Sequence, residues 1–213
     1  MLTNPYSAAQ FLLELDDKKK VGFCRSVEGG GTKADILTYR QVQEGNWRFS
    51  RQLAAKPKFE DLKLQVGMSM SETFYDWIED FFRGAVTRKT GAIVSGDYHF
   101  KERYRREFYD ALISEVAIPK LDGADRNAAY MGVTIVPEAV DYKPGGGQKL
   151  DADIGTESQK LWTPNNFGFN FDGFESALQR VTRIDGFTIK QQILEYHAGS
   201  GAAGAGIVHT GPG

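Results

Sequence analysis

The chain has 213 residues, with 26 Lys and Arg against 28 Asp and Glu for a formal charge of -2, a balance that excludes the global positive field by which nucleic acid is gathered. Its 41% hydrophobic and 25% charged residues describe a folded globular chain rather than a disordered one, and no apolar run approaches the ~18 residues of a membrane-crossing helix. The lone cysteine, Cys24, excludes an intrachain disulfide framework and is expected to be a core thiol made in a reducing compartment.

One stretch occurs twice. FLLELDDKKKVGFCRSVEGGGTKADILTYR begins at Phe11, and FGFNFDGFESALQRVTRIDGFTIKQQILEY begins at Phe167. Gly29 aligns with Gly186, Lys33 with Lys190, and Ile36, Leu37 and Tyr39 with Ile193, Leu194 and Tyr196. Self-similarity of this kind means that one unit was reused. Taken in order, the N-terminus lacks the basic start of a secretory signal, so the protein is expected to be made, and to stay, in the cytoplasm. Phe11, Leu13 and Leu15 alternate as a strand, Asp16 to Lys20 is turn material, and Val21 to Val27 is a second strand. The Glu28 to Gly31 glycine cluster lacks the following helix and Lys-Ser/Thr of a phosphate loop and is expected to be a turn or bulge. Lys33 to Val42 is a third strand. Gln43 to Lys58 shows no regular apolar positions and is expected to be a long loop, a feature that tends to be functional in compact domains.

Leu62, Leu64 and Val66 then alternate with charged and polar residues, which marks a half-buried strand. Ser71 to Gly84 reads as a helix: Phe74, Trp77, Ile78 and Phe81 form an i, i+3, i+4, i+7 stripe that should pack on a sheet. Ser69 and Glu72 have capping-box spacing, Ser71 is an alternative cap, and Gly84 suits the C-terminal position. Ala92 to Ser95, a kinked Tyr98 to Ile118, and Ala128 to Val140 are further β segments. The fold class expected is therefore mainly β (α+β), a β-barrel or sandwich with one packed helix, followed by a partial repeat of three strands. The corresponding division is 1–143 as a β domain, 144–165 as a Gly-rich and polar linker, 166–199 as the partial repeat, and 200–213 as a flexible Gly/Ala-rich tail.

Catalytic patterns are absent. His99, His197 and His209 have no metal-ligand spacing, and no nucleophile elbow, zinc-protease, phosphate-loop or dinucleotide motif occurs. No cofactor and no metal are expected, and the acidic pairs Asp16-Asp17 and Asp151-Asp153 read as solvated turn and linker residues. The basic run Lys101 to Arg106 is interleaved with acids and is expected to be a strand face or a subunit contact.

The opening NPYSAAQFLLELDD, the Val27-Glu28-Gly29 turn before ADILTYR, the helix FYDWIEDFFRG, and the closing DALISEVAIPKLDG and AAYMGVTIVPEAVDY occur in an order that carries a resemblance. Residues 4–143 resemble the tail tube protein family of contractile-tailed phages and phage-tail-like contractile injection systems. The resemblance implies a non-enzymatic structural subunit that forms hexameric rings stacked into a hollow tube. In it, a loop bearing Trp47, Arg48, Arg51 and Lys56 would reach the adjacent ring. Strands with Ile36, Leu37, Tyr39, Ile193, Leu194 and Tyr196 would pair sheets or subunits. It also implies partners: other copies of the chain, the sheath, baseplate or cap proteins of the same tail, and a luminal cargo of DNA or protein effector, with incorporation into a virion tail or injection particle. Such a subunit is expected to end near Tyr142, so the C-terminal third is an addition, and it should dock on a sheet because three strands alone cannot bury both faces. Three alternatives stay open: an initiator or adaptor ring, a small-ligand or carbohydrate-binding barrel, and a hydrolase with carboxylates assembled across strands.

Overall fold

The structure, a computed structural model, describes residues 10–16, 18–43, 46–53, 57–67, 70–150, 163–165, 167–168, 173 and 181–194. The alternating apolar residues at its start form β1 (Gln10–Leu15), which folds back on β2 (Lys19–Gly29) with Leu12 opposite Phe23. The following chain forms β3 (Thr32–Lys33), β4 (Ile36–Gln43), β5 (Asn46–Leu53), β6 (Lys58–Phe59) and β7 (Leu62–Val66). After the helix α1 (Glu72–Phe82) come β8 (Lys89–Gly96), β9 (Glu102–Ile118), β10 (Leu121–Asp122), β11 (Met131–Val136) and β12 (Ala139–Pro144). The C-terminal part contributes β13 (Arg183–Ile184) and β14 (Phe187–Lys190).

Hydrogen bonding runs in the order β11, β7, β2, β1, β8, β9, β12, and β11 also pairs with β9. The path therefore returns on itself around a core. Leu13, Leu15, Val21, Leu62, Leu64, Val66, Ile93, Phe108, Val116, Val133 and Ile135 all point into that core. The expected mainly β fold with a packed helix is borne out. The aromatic stripe of α1 closes the core as the spacing predicts, with Phe74, Trp77, Ile78 and Phe81 buried. Trp77 keeps its indole satisfied by donating to the Thr87 carbonyl at 2.9 Å. At the other end Gly84, at φ +75°, permits a Schellman closure in which the Ala85 and Gly84 N–H groups donate to the Asp80 and Phe81 carbonyls. Ser71 occupies the N-cap position but makes no side-chain cap bond. Ser69 lies outside the described residues.

The closure depends on the length of β9. Around residues 104–109 this strand lies between β8 and β12, and around 115–117 between β11 and β14. The expected kink falls at Asp110, whose φ is +48°. Its N–H donates to the Thr90 hydroxyl at 3.2 Å and its carbonyl accepts from Arg88 at 3.0 Å, so the unfavourable dihedral is pinned on both sides.

Three expectations need correction. Gln43 to Lys58 is not a loop, because residues 46–53 form β5, in register with β4 from Ile36 opposite Leu53 to Gln43 opposite Asn46. Lys33 to Val42 is likewise not one strand but β3 followed by β4. Beyond β12, the residues expected to begin a linker run back along β9. The N–H groups of Gly145 and Gly147 donate to the Arg103 and Glu102 carbonyls, and that of Leu150 to the Phe100 carbonyl. Leu150 is buried with Leu12, Ala92 and Val94, packed with Phe23 on the face of β1 and β8 away from the main core. Gly96 leaves it room, since a Cβ there would lie 2.4 Å from the Leu150 side chain.

The later C-terminal segment docks on a sheet as expected, and the sheet is the one that contains β9. β13 pairs with β10, and β14 pairs with β9 from Phe187 opposite Ile118 to Lys190 opposite Glu115. Ile193 and Leu194 follow β14 outside any strand, and Tyr196 lies outside the described residues.

Candidate assembly interface

A run of exposed apolar side chains belongs to an arm built from β2 through β7. Gly29 pairs with Leu62, Thr32 with Phe59, Ile36 with Leu53 and Gln43 with Asn46, so one antiparallel ribbon leaves the barrel and continues outward. At its base the backbone turns sharply: Gly29 and Gly30 have φ of +79° and +72°. The Gly30 N–H donates to the Asp61 carbonyl, Arg106 donates to the Gly29 carbonyl at 2.6 Å, and the Tyr142 hydroxyl bonds the Gly30 carbonyl. The expected glycine turn is thus an anchor clamped by β9 and β12. Lys33 and Glu60 pair just beyond it. From there the eight residues of β4 reach about 25 Å at strand rise.

Among the described residues, apolar side chains on both faces of this outer ribbon are exposed. Ile36, Leu37, Tyr39, Val42, Trp47 and Phe49 are all exposed, with Trp47 at 69% and Phe49 at 66%. Among the described residues, the ring contact near the tip is the Arg40 guanidinium, 5.8 Å from the centre of Phe49. A two-stranded ribbon alone is marginally stable in water, and clustered exposed apolar side chains mark interaction surfaces. Arg51 is exposed on β5, whose backbone also carries Arg48. Lys56 lies outside the described residues. The sequence had therefore singled out Trp47 and Arg51 on this arm but missed Val42 and Phe49. Their signal was alternation with Trp47 across a short turn.

Charged residues along β9 and its neighbours are largely neutralised within the chain. Arg105 bridges two buried carboxylates, Glu14 at 2.7 Å and Glu102 at 3.0 Å. Arg103 pairs with the buried Asp97 at 2.7 Å. Hydrogen bonds from Lys143 and from the Tyr109 hydroxyl hold Glu107 below the usual carboxylate range, and the same bond raises Lys143. Within the Lys101 to Arg106 run, Arg103 and Arg105 are therefore paired with carboxylates and Arg106 bonds the Gly29 carbonyl. Cys24 is buried and burial pushes its thiol up to about 12, the behaviour of an inert core cysteine. His99 is exposed on the turn before β9. Among the described residues no His, Cys, Asp and Glu side chains group as metal ligands. Two depressions of about 200 Å³ each fall short of the ~300–1,000 Å³ of typical small-ligand pockets.

A closed β framework that projects an uncovered apolar arm, while its charges are paired internally, has the build of an assembly module rather than of a ligand-binding barrel. The family comparison agrees. The family model for the T4-like virus tail tube protein gp19 matches residues 7–141, and the chain belongs to that family. The resemblance drawn from the order of short motifs is thereby borne out, over nearly the same span.

Solved structures show the same fold. A chain of the PVC sheath-tube complex, an extracellular contractile injection system in its extended state, is similar with TM-score 0.52 at 20% identity, covering 67% of this chain and 94% of that one. A chain of the anti-feeding prophage tube terminating cap gives 0.53 at 18% identity over 68% and 95%. One from the six-fold symmetrised anti-feeding prophage baseplate gives 0.54 at 12% over 67% and 98%. No curated protein sequence matches the chain.

Proposed function

We propose that the protein is a non-enzymatic subunit of the inner tube of a contractile tail or injection system, forming homo-hexameric rings that stack around a lumen. The observation that carries this reading is the projecting ribbon with Trp47 and Phe49 uncovered, in a chain of the tail tube family. In an assembly, the next ring covers that ribbon and strand edges of neighbouring copies join. Burying one such aromatic stabilises the contact by about 1.5–3 kcal/mol. Repeated six-fold around a ring, contacts of that size hold a stack together. Arg48, Arg51 and Lys56 extend the contact, and Ile36, Leu37 and Tyr39 supply its β4 side. The partners in this reading are further copies and the sheath, baseplate or cap proteins of the same tail. The lumen passes DNA or a protein effector, and the subunit is made in the cytoplasm before it joins the particle.

A second reading, a ring at one end of the tube, is favoured by one observation: the similar tube and cap chains are covered almost entirely by about two thirds of this one, so the C-terminal third is additional. Electron microscopy of the purified protein tests both. Stacked rings support the main reading, single or paired rings that do not extend support the second, and a monodisperse monomer at high concentration overturns both.

A further inference from the structure

Beyond residue 141 the chain leaves the region shared with the tail tube family, yet it returns to the barrel at one backbone edge. From residue 115 to 118 that edge of β9 is filled by β14, and the ladder is prolonged by the Gln191 N–H donating to the Ser114 carbonyl at 2.8 Å. The Gln191 side-chain amide also donates to the Phe81 carbonyl at the end of α1, at 2.8 Å. Without β14, the N–H and C=O groups along this edge would form a template for another strand. All four residues of β14 are exposed, so its seat owes little to apolar burial. Its ion pair among the described residues, Lys190 with Glu115 at 3.0 Å, has an exposed lysine and is of the weak kind. β14 is itself short and ends in a lysine, both of which make a poor template for further pairing.

We propose that β14 is a seal: it fills, within the chain, a β9 edge at which a second copy of the protein otherwise pairs, and so it limits self-association. The identity of the competing partner rests on the ring-forming reading above. Strand addition at this edge and displacement of β14 are mutually exclusive uses of the same carbonyl and amide groups. The seal is weak enough to be displaced because it is held by its backbone ladder and two side-chain bonds rather than by a core.

The test uses the full chain in two opposed arms. Ala117 and Thr188 stand opposite one another. They form a non-hydrogen-bonded pair, because the ladder alternates and Gln191 and Ser114 form a bonded one. Ala117→Cys with Thr188→Cys should therefore close a disulfide within one chain, undisturbed by the buried Cys24. Oxidised, this variant should sediment as smaller species than after reduction. In the second arm, Lys190→Glu and Gln191→Ala loosen the seat, and each should associate at several-fold lower concentration than the unaltered protein in sedimentation velocity. Disulfides formed between chains, equal sedimentation in the oxidised and reduced states alongside unchanged loosened variants, or weaker association of those variants would each overturn the seal. Microscopy of the same samples decides the ring reading separately: association without rings sinks that reading and leaves the seal standing.

Discussion

Asp97 shows how much a single turn residue can carry. Its carboxylate accepts from the Lys101 and His99 N–H groups and from Arg103, and these bonds, the Lys101 N–H foremost, lower its pKa. A carboxyl with a folded pKa below its unfolded value contributes stability above the ordinary range near ~3.9, and that contribution is lost as pH falls through the lower folded value. Asp97→Asn should therefore flatten the acid limb of stability against pH, read as urea midpoints from about pH 2 to 6. An unchanged limb would assign the acid sensitivity to other carboxyls such as Glu107 and Asp122, which are lowered as well. Gly29 is constrained more simply. A Cβ there would lie 1.9 Å from the Asp61 carbonyl oxygen at a φ of +79°, so Gly29→Ala should cost about 1–3 kcal/mol and loosen the root of the arm. Thermal unfolding checks the first effect and protease sensitivity between residues 30 and 60 the second.

Among the elements, α1 was the most legible in the sequence and β5 the least, for the same physical reason. Apolar periodicity reports burial within one chain. Phe74, Trp77, Ile78 and Phe81 are buried in their own domain, so their spacing announces a helix face. Trp77→Ala should cost about 3–5 kcal/mol, read as a shift in the urea midpoint. On β5, Trp47 and Phe49 alternate, but Arg48, Ser50 and Arg51 surround them in sequence and no described residue buries them, so the pattern looks like loop. Trp47→Ser combined with Phe49→Ser should leave the unfolding midpoint almost unchanged, as surface changes do, while abolishing ring stacking in micrographs. A large loss of stability instead would mean that the ribbon is part of the fold's own core.

For the molecule as a whole, the resemblance read over residues 4–143 agrees with the family match over residues 7–141, because the order of turns, helix and strands is dictated by local chemistry. What followed was not. Pro144-Gly145-Gly146-Gly147 reads as linker, since sequence cannot show that Gly145 lies flush on Arg103 or that Gly96 makes a socket for Leu150. The second copy of the opening stretch was legible as a repeat of letters, but β14 falls before Ile193 and Leu194, where the first copy places β4 at Ile36 and Leu37. Strand position there is set by the β9 edge rather than by the repeated residues. A chain ended after Leu150 should thus be more stable than one ended after Tyr142 by roughly 1.5–3 kcal/mol, the worth of one buried leucine, and paired thermal melts would show it.

The strand that closes the barrel also dictates when the barrel can form. Gln10 finds its partner at Gly96, and Leu64 finds Val133, so no early segment of the chain can complete its pairing alone. Distant partners of this kind make folding slow, on the order of milliseconds to seconds. During synthesis at about 5–20 residues per second, β1 and β2 wait for several seconds with one flank bare. A ribosome-held chain ending at Phe82 should be sticky and protease-sensitive, and one ending past Val136 should be neither. The pairing of β11 with both β7 and β9 thus sets the point in synthesis at which protease resistance is expected to appear.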